Sequence, residues 1–215
     1  MDIRISAKLF AEFVIGSPAR KASTVRKLQR PRSPDVIIPT GYYKRAIGVI
    51  RAYHEKGNDY AYVTRELRAL HHDAETALTP QSRTKLFSNL RAVESYLRKF
   101  ASRSWKVISC PKIHYTSSEV RISGTPDLAL EETGRVRLVK LGIRKEKESE
   151  DLIRLMLRVI YQAASAKLKL GPGDVTYFDV ATGDAISGNS GDGALSEAIE
   201  GGCRVLRQMM QPAAE

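Results

Sequence analysis

Two short motifs contain the residues whose types are best suited to chemistry on a phosphate group. The first is Gly124-Thr125-Pro126-Asp127-Leu128, and the second, after a predicted hairpin turn, is Leu138-Val139-Lys140-Leu141-Gly142. A carboxylate such as that of Asp127 can ligate Mg²⁺, which prefers oxygen ligands in octahedral geometry. A lysine such as Lys140 can stabilise the negative charge that develops when a phosphodiester is attacked.

Taken one at a time, both residues also have a structural explanation. A Pro-Asp pair beside a glycine is common in turns, so Asp127 could simply belong to a turn. Lys140 could be one solvent-facing lysine among many on a strand. The elements that surround the two residues therefore decide between the interpretations.

The first hundred residues are predicted to be mainly helical. Apolar residues recur with helical spacing between Ile5 and Val14, and Ser17-Pro18 is typical of a helix start. Prolines interrupt the pattern over residues 30–40, which favours a loop or an extended linker there. The same spacing and cap signals predict three further helices, over residues 41–53, 60–71 and 79–100.

The hydrophobic period changes after Trp105, where strands become frequent. One strand is predicted to run from Trp105 past Pro111, a second from Glu119 with a kink into residues 126–130, and a third over residues 136–141. A long helix to about residue 170, a strand over residues 175–180, a short fifth strand and a final helix over residues 194–210 follow.

This order of elements predicts an α/β (α+β) fold with a mixed sheet flanked by helices. We expect a helical, basic N-terminal region over residues 1–104 and an α/β core over residues 105–215. We expect the two regions to pack as one compact unit.

In order and spacing, the two motifs resemble those of the RecB-type branch of the PD-(D/E)XK nucleases. That family has Gly-x-x-Asp on one strand, Asp/Glu-x-Lys-x-Gly across a hairpin, and a following helix with Gln and Tyr four residues apart. The resemblance covers roughly residues 105–210. It implies a restriction-endonuclease-like core, phosphodiester hydrolysis with Mg²⁺ or Mn²⁺, and catalytic roles for Asp127, Lys140 and Tyr161.

Two positions depart from the family pattern. Leu138 stands where the second carboxylate belongs, and Leu157 stands where the glutamine belongs. Because leucine cannot ligate a metal ion, the nuclease activity that the resemblance implies is expected to be absent or altered.

Other residues could complete a metal site beside Asp127. Some family members carry the second acid on the following helix, which makes Glu148 a candidate ligand. The alternative is that the acidic residues around Glu148 only complement the dipole of a helix N-terminus. His54 is a further candidate, since many RecB-type nucleases use a histidine on a front helix, although a lone helix histidine is more often a surface or capping residue.

The positive charge of the chain is concentrated in its first half. The net charge is +11 at pH 7, and residues 1–105 carry 20 basic and 9 acidic residues, whereas residues 106–215 carry 15 of each. Basic side chains displace condensed counterions from phosphates, so the asymmetry favours a surface that binds DNA or RNA. A well-solvated basic surface without a partner is the alternative. The candidate nucleic-acid-binding residues are Arg20, Lys21, Arg26, Lys27, Arg30, Arg91, Arg98 and Lys99.

Composition disfavours several other classes of protein. No run approaches the roughly 18 apolar residues that a membrane helix needs, and the first residues lack a signal-peptide pattern. We therefore expect a cytoplasmic protein with no membrane partner. The two cysteines are too few for a disulfide framework and are expected to be buried thiols. No cofactor is assigned with certainty, and Mg²⁺ or Mn²⁺ is expected only if the site is active.

The sequence thus predicts a nucleic-acid-binding protein with a degenerate nuclease-like core. Two alternatives stay open. One is an active Mg²⁺-dependent DNA nuclease with a relocated second carboxylate, and the other is a non-catalytic subunit that binds other proteins in a complex.

Overall fold

The computed structural model describes residues 3–30, 41–103, 105–143, 147–190 and 193–211. Within these ranges the chain forms seven α-helices and eight strands. The helices are α1 (Ala7–Ile15), α2 (Pro18–Gln29), α3 (Lys44–Glu55), α4 (Tyr60–Glu75), α5 (Pro80–Phe100), α6 (Glu150–Ser165) and α7 (Gly193–Met210). The strands are β1 (Ile3–Ser6), β2 (Lys106–Ile108), β3 (His114–Ser117), β4 (Val120–Ser123), β5 (Leu128–Glu132), β6 (Arg135–Gly142), β7 (Val175–Asp179) and β8 (Ala185–Ser187).

The strands form two separate sheets. The smaller sheet has the order β1-β4-β3, with β1 parallel and β3 antiparallel to the central β4. The larger sheet has the order β2-β5-β6-β7-β8, in which β6 and β7 are parallel and the other neighbours are antiparallel. The predicted α/β fold with a mixed sheet is therefore confirmed.

Helix α6 connects the parallel strands β6 and β7 and lies between the two sheets. Parallel neighbours need a long crossover connection, which this helix supplies. The hydroxyl of Ser149 caps its N-terminus by accepting from the backbone N–H of Leu152 at 3.4 Å. The helix contacts β3 and β4 of the smaller sheet and β7 and β8 of the larger one.

Two hydrophobic clusters lie on opposite faces of the five-stranded sheet. Leu138 of β6 belongs to the cluster that contains α1, α6 and α7, whereas its neighbour Val139 belongs to the cluster formed with α3, α4 and α5. Successive residues of a strand point to opposite faces. One face of the sheet is therefore covered by the helical layer α3–α5 and the other by α6.

The chain between residues 105 and 130 is divided differently from the prediction. The segment expected as one strand from Trp105 forms β2 and β3, which belong to different sheets, and the strand expected from Glu119 likewise forms β4 and β5. Pro111 and Pro126 lie at the two places where the chain changes sheet. Proline has no backbone N–H for the strand ladder, which suits these transfer points.

The first strand and helix pack with the C-terminal half of the chain. The helix expected from Ile5 begins at Ala7, because residues 3–6 form β1 and pair with β4. In β1, Ile3 and Ile5 are buried while Arg4 and Ser6 are exposed, which is the period of a strand. Helix α1 then packs against α6 and α7. Of the helical region that was predicted over residues 1–104, helices α3–α5 thus form the layer on the five-stranded sheet.

The other helices of the first half begin and end close to their predicted residues. Ser17 caps α2 with Pro18 in its first turn, and Thr79 caps α5 with Pro80 behind it. The predicted loop over residues 30–40 lies, from residue 31 onward, outside the described residues.

An aromatic stack holds the helical layer on the five-stranded sheet. The ring of Phe178 on β7 stacks on Phe100 of α5 with a centroid distance of 4.8 Å and on Trp105 with a distance of 5.5 Å. Phe178 is 1% exposed, so its replacement by a smaller residue would leave a cavity between the two layers.

Phe178→Ala is expected to lower the free energy of unfolding by about 3–5 kcal/mol, the usual cost of such a cavity. Chemical denaturation followed by the fluorescence of Trp105, the single tryptophan, measures the change. Leu78→Ala is the control, because Leu78 is fully exposed, and it should change stability by less than about 0.5 kcal/mol. Equal effects of the two substitutions would contradict a structural role for the stack.

Candidate functional site

Asp127 and Lys140 lie side by side at one end of the β5–β6 hairpin. Leu128 pairs with Val139, so the residues just beyond this pair face each other across the two strands. Both side chains lie on the α6 side of the sheet, and Lys140 Nζ donates to Asp127 Oδ1 at 3.0 Å. The structure thus brings together the two residues that the sequence motifs single out.

Asp127 has hydrogen-bond partners at both carboxylate oxygens and at its backbone carbonyl. Its Oδ2 accepts from the backbone N–H of Leu141 at 2.8 Å. Its carbonyl oxygen accepts from Nη2 of Arg51 on α3 at 2.7 Å. Since the side chain is only 13% exposed, these bonds replace most of the contacts that water would make.

A second carboxylate lines the same small cavity. Glu148, just before α6, forms an ion pair with Lys8 from the first turn of α1. The carboxylate is 8% exposed and the lysine is 23% exposed. The cavity has a volume of about 150 Å³, and Asp127, Lys140, Glu148 and Lys8 all contribute to its wall.

Within this cavity, which we call the lysine–carboxylate cavity, the formal charges of two lysines and two carboxylates cancel. Each carboxylate is already neutralised by a lysine, and one oxygen of Asp127 is also held by a main-chain N–H. In the part of the chain that the structure describes, no three His, Cys, Asp or Glu residues come together as metal ligands. The donor set therefore does not fit the divalent metal that the sequence resemblance implies.

Leu138 occupies the core, away from the cavity. It lies two residues before Lys140 and shares its face of the sheet, but it is fully buried in the cluster beneath α6. The missing carboxylate therefore corresponds to a core position, where an unpaired charge would be costly.

Close packing favours glycine at positions 124 and 142, the two glycines of the sequence motifs. A Cβ on Gly142 would overlap the phenol oxygen of Tyr177. Tyr177 pairs with Lys140 in the parallel β6–β7 register. A Cβ on Gly124 would lie 3.3 Å from the Cα of Ile160, because β4 ends close against α6. Close packing thus explains both glycines of the motifs.

Tyr161 lies apart from Asp127 and Lys140. It belongs to α6, and its half-buried ring packs against the core with the guanidinium of Arg158 at 5.2 Å from its centroid. The residue of α6 that reaches the cavity is Met156. The structure therefore does not bring the predicted Tyr161 into the site.

His54, the other predicted metal ligand, is part of an aromatic cluster and does not line the lysine–carboxylate cavity. Its Nδ1 is 2.8 Å from Oδ1 of Asn58, and its Nε2 is 2.8 Å from the hydroxyl of Tyr96. The ring also contacts Trp105, with a centroid distance of 5.4 Å. Because both ring nitrogens have partners in the fold and the side chain is buried, neither is open to a metal.

The candidate nucleic-acid-binding residues fall into two groups on opposite sides of the five-stranded sheet. Arg20, Lys21, Arg26, Lys27 and Arg30 belong to α2 and its C-terminal end, and α2 packs on α1 and α7. Arg91, Arg98 and Lys99 belong to α5 in the layer on the other face, and all three are exposed. The eight residues thus form two surfaces.

Within the α2 group, intramolecular contacts engage two of the five side chains. Arg20 forms an ion pair with Glu12 at 3.1 Å, and Lys21 lies over the ring of Phe13 at 5.8 Å. Arg26, Lys27 and Arg30 are exposed. These last three are the best placed of the group to contact a phosphate backbone.

Sequence reasoning missed Lys8 and gave Arg51 no role in the site. Lys8 pairs with a residue 140 positions away in the chain, so no local pattern predicts the contact. Arg51 is one basic residue among many in the first half, and its partner, the carbonyl oxygen of Asp127, lies 76 positions away in the chain.

No family model matches the chain, and no curated protein is detectably similar to it. Among the described residues, no helix combines the length and apolar character needed to cross a membrane. We therefore infer the function from the cavity and the charged surfaces.

Burial lowers the pKa of His54 below its ordinary value, while the hydrogen bond to Asn58 acts in the opposite direction. The folded state therefore resists protonation of His54 more than the unfolded state does. The contribution of the neutral His54 to the free energy of unfolding is fully present above the unperturbed pKa of about 6.5. It is lost as the pH falls from there through the pKa of the folded state.

His54→Gln is expected to remove this part of the pH dependence. The free energy of unfolding of the unsubstituted protein should fall between about pH 7.5 and about pH 5. Protonation of His54 should account for at most about 1.4 kcal/mol of this fall per pH unit. The variant should lose less over the same range, as measured by urea denaturation. Parallel curves for the two proteins would show that His54 is protonated equally well in the folded state.

Proposed function

We propose that this protein binds nucleic acid and has a nuclease-like core in which phosphodiester hydrolysis is absent or strongly reduced. One observation carries the proposal. In the lysine–carboxylate cavity, Lys140 and Lys8 neutralise Asp127 and Glu148, the two carboxylates that could otherwise share a metal ion.

The elements around the cavity support the nuclease-like part of the proposal. An antiparallel hairpin, a crossover helix and a parallel strand follow one another as β5, β6, α6 and β7. This order is similar to that of the RecB-type branch of the PD-(D/E)XK nucleases. Asp127, Lys140 and Gly142 stand at motif positions, whereas Leu138 and Leu157 are buried core residues.

The chemistry of the cavity supports binding without cleavage. A divalent metal in such a site would polarise the phosphate and generate hydroxide from a bound water. Lysine is a compact cation that can hold a phosphate oxygen, but it does not activate water in the way that a metal ion does. The cavity can therefore contribute to binding of a phosphate group when its lysines exchange a carboxylate for the phosphate.

The charged surfaces support the nucleic-acid part of the proposal. The chain carries a net charge of +11, and its excess of basic residues lies in the first half. Exposed cations on α2 and α5 can replace the counterions of a phosphate backbone. Contacts of this kind position a nucleic acid but do not read its sequence.

Fluorescence anisotropy with a labelled oligonucleotide at several salt concentrations tests the binding. The triple variant Arg26→Gln, Lys27→Gln, Arg30→Gln is expected to bind at least about tenfold more weakly at low salt. Its plot of log affinity against log salt should be shallower by about 2–3, because each lost phosphate contact removes about 0.7–0.9 from the slope.

The control for this experiment removes three positive charges elsewhere on the surface. Lys106, Lys167 and Lys169 are all exposed, and their replacement by glutamine changes the net charge by the same amount. This variant should bind more tightly than the α2 variant. If the unsubstituted protein shows no affinity for DNA or RNA at low salt, the proposed function is wrong.

A second candidate function, an active metal-dependent nuclease, is favoured by one observation. Glu148 lines the same cavity as Asp127, which is where a relocated second carboxylate would lie. The two candidate functions differ in whether the lysine partners of Asp127 and Glu148 prevent a metal ion from binding. The lysine that pairs with Glu148 is Lys8 of α1.

Lys8→Ala separates the two candidates. Under the main proposal, the unsubstituted protein binds Mn²⁺ weakly. Removal of Lys8 is expected to raise the affinity for Mn²⁺ at least about tenfold, because about 1.4 kcal/mol less charge repulsion corresponds to a factor of ten. Isothermal titration calorimetry measures this. Asp127→Asn in the Lys8→Ala background should abolish the gain, and Lys167→Ala should produce none. Cleavage of DNA by the unsubstituted protein with Mg²⁺, abolished by Asp127→Ala, would establish the second candidate instead.

A further inference from the structure

The outer face of the three-stranded sheet presents polar side chains over a buried apolar face. Val120 and Ile122 of β4 point into the core, as the isoleucines of β1 do. The residues that alternate with them, Arg121 and Ser123, therefore lie on the same outer face as Arg4 and Ser6. We call this surface the outer sheet face.

Basic residues lie next to one another on this face. Arg4 of β1 pairs directly with Arg121 of β4 in the parallel register. Neighbouring strands are about 4.8 Å apart, so these two side chains leave the sheet close together. The two guanidinium groups thus give the outer sheet face two neighbouring donors for hydrogen bonds.

The outer sheet face forms a shallow cavity of about 480 Å³. Its basic side chains are Arg4, Arg121 and Lys112, and the imidazole of His114 lies beside them. Three hydroxyl groups, from Ser6, Ser123 and Thr125, complete the polar lining. Among the described residues, no aspartate or glutamate belongs to this wall.

Nearly all the polar groups of the outer sheet face can donate hydrogen bonds. Nη2 of Arg121 lies 3.2 Å from Nδ1 of His114. A guanidinium group can only donate, so Nδ1 accepts and the ring N–H is on Nε2. Guanidinium, ammonium, hydroxyl and imidazole donors together suit a ligand that offers only acceptors and a negative charge, which is the character of a phosphodiester.

We propose that the outer sheet face binds the phosphodiester backbone of a nucleic acid. This inference rests on the proposed function and assigns it a surface separate from α2 and α5. No aromatic side chain of Phe, Tyr or Trp is among the described residues that line the face, so it offers no stacking platform for bases. The contact is therefore with the backbone and is independent of sequence.

Both chain segments that leave the outer sheet face enter the lysine–carboxylate cavity. Ser6 is two residues before Lys8, and Thr125 is two residues before Asp127. Two residues span about 7 Å at most, so the two surfaces adjoin. A nucleic acid on the outer sheet face therefore brings one of its phosphates to the edge of the cavity.

The double variant Lys112→Gln, Arg121→Gln tests the proposal. Anisotropy with a labelled 20-nucleotide oligothymidylate should show binding at least about tenfold weaker at low salt and a salt slope reduced by about 1.4–1.8. A strand of the same length and mixed sequence should bind as well as oligothymidylate does. The control variant Lys106→Gln, Arg204→Gln removes two exposed charges from β2 and α7 and should stay within about threefold of the unsubstituted protein.

A second measurement needs no substitution. Acetylation of the unsubstituted protein, followed by peptide mass spectrometry, should show that oligothymidylate protects Lys112 severalfold more than Lys106, which is also exposed. Equal labelling of the two lysines would overturn the outer-sheet-face proposal alone. The same holds if the double variant binds like the unsubstituted protein while the α2 variant is impaired. Failure of the unsubstituted protein to bind any strand would overturn the proposed function as well.

Discussion

The register of the β5–β6 hairpin fixes the positions of Asp127 and Lys140 relative to each other. Thr133 and Gly134 form its turn with φ values of +52° and +77°, the left-handed region that a tight two-residue hairpin turn requires. A slip of one residue would move the side chain of Lys140 to the opposite face of the sheet from Asp127. Because both faces of the sheet are covered by apolar clusters, such a slip would also move Leu138 and Val139 into clusters packed for other side chains.

Charge pairing then couples parts of the chain that are far apart in sequence. Burial of a carboxylate is costly unless a cation accompanies it, and removal of one partner costs more than removal of both. Lys8 and Lys140 therefore make the two carboxylates tolerable in a small, half-buried cavity. The same lysines would hold a phosphate in the proposed function, so the stability of the cavity and the proposed phosphate contact depend on the same side chains.

Local signals predicted the helices and the hairpin well, because caps, prolines and turn glycines act within a few residues. They also placed Asp127 and Lys140 opposite each other at the end of the hairpin. They failed where pairing is long-range: Ile3 pairs with Val120, and Lys8 with Glu148, and neither contact leaves a local trace. The surroundings of His54 could not be predicted for a different reason, since only the packed structure shows that both of its ring nitrogens have partners.

The parallel pairing of β1 with β4 has a consequence for folding during translation. β1 is made early, but its partner Val120–Ser123 leaves the ribosome more than a hundred residues later. At usual rates of synthesis this delay is on the order of ten seconds. During that time Ile3 and Ile5 have no sheet to join, so the nascent chain exposes a short apolar strand that a chaperone could recognise.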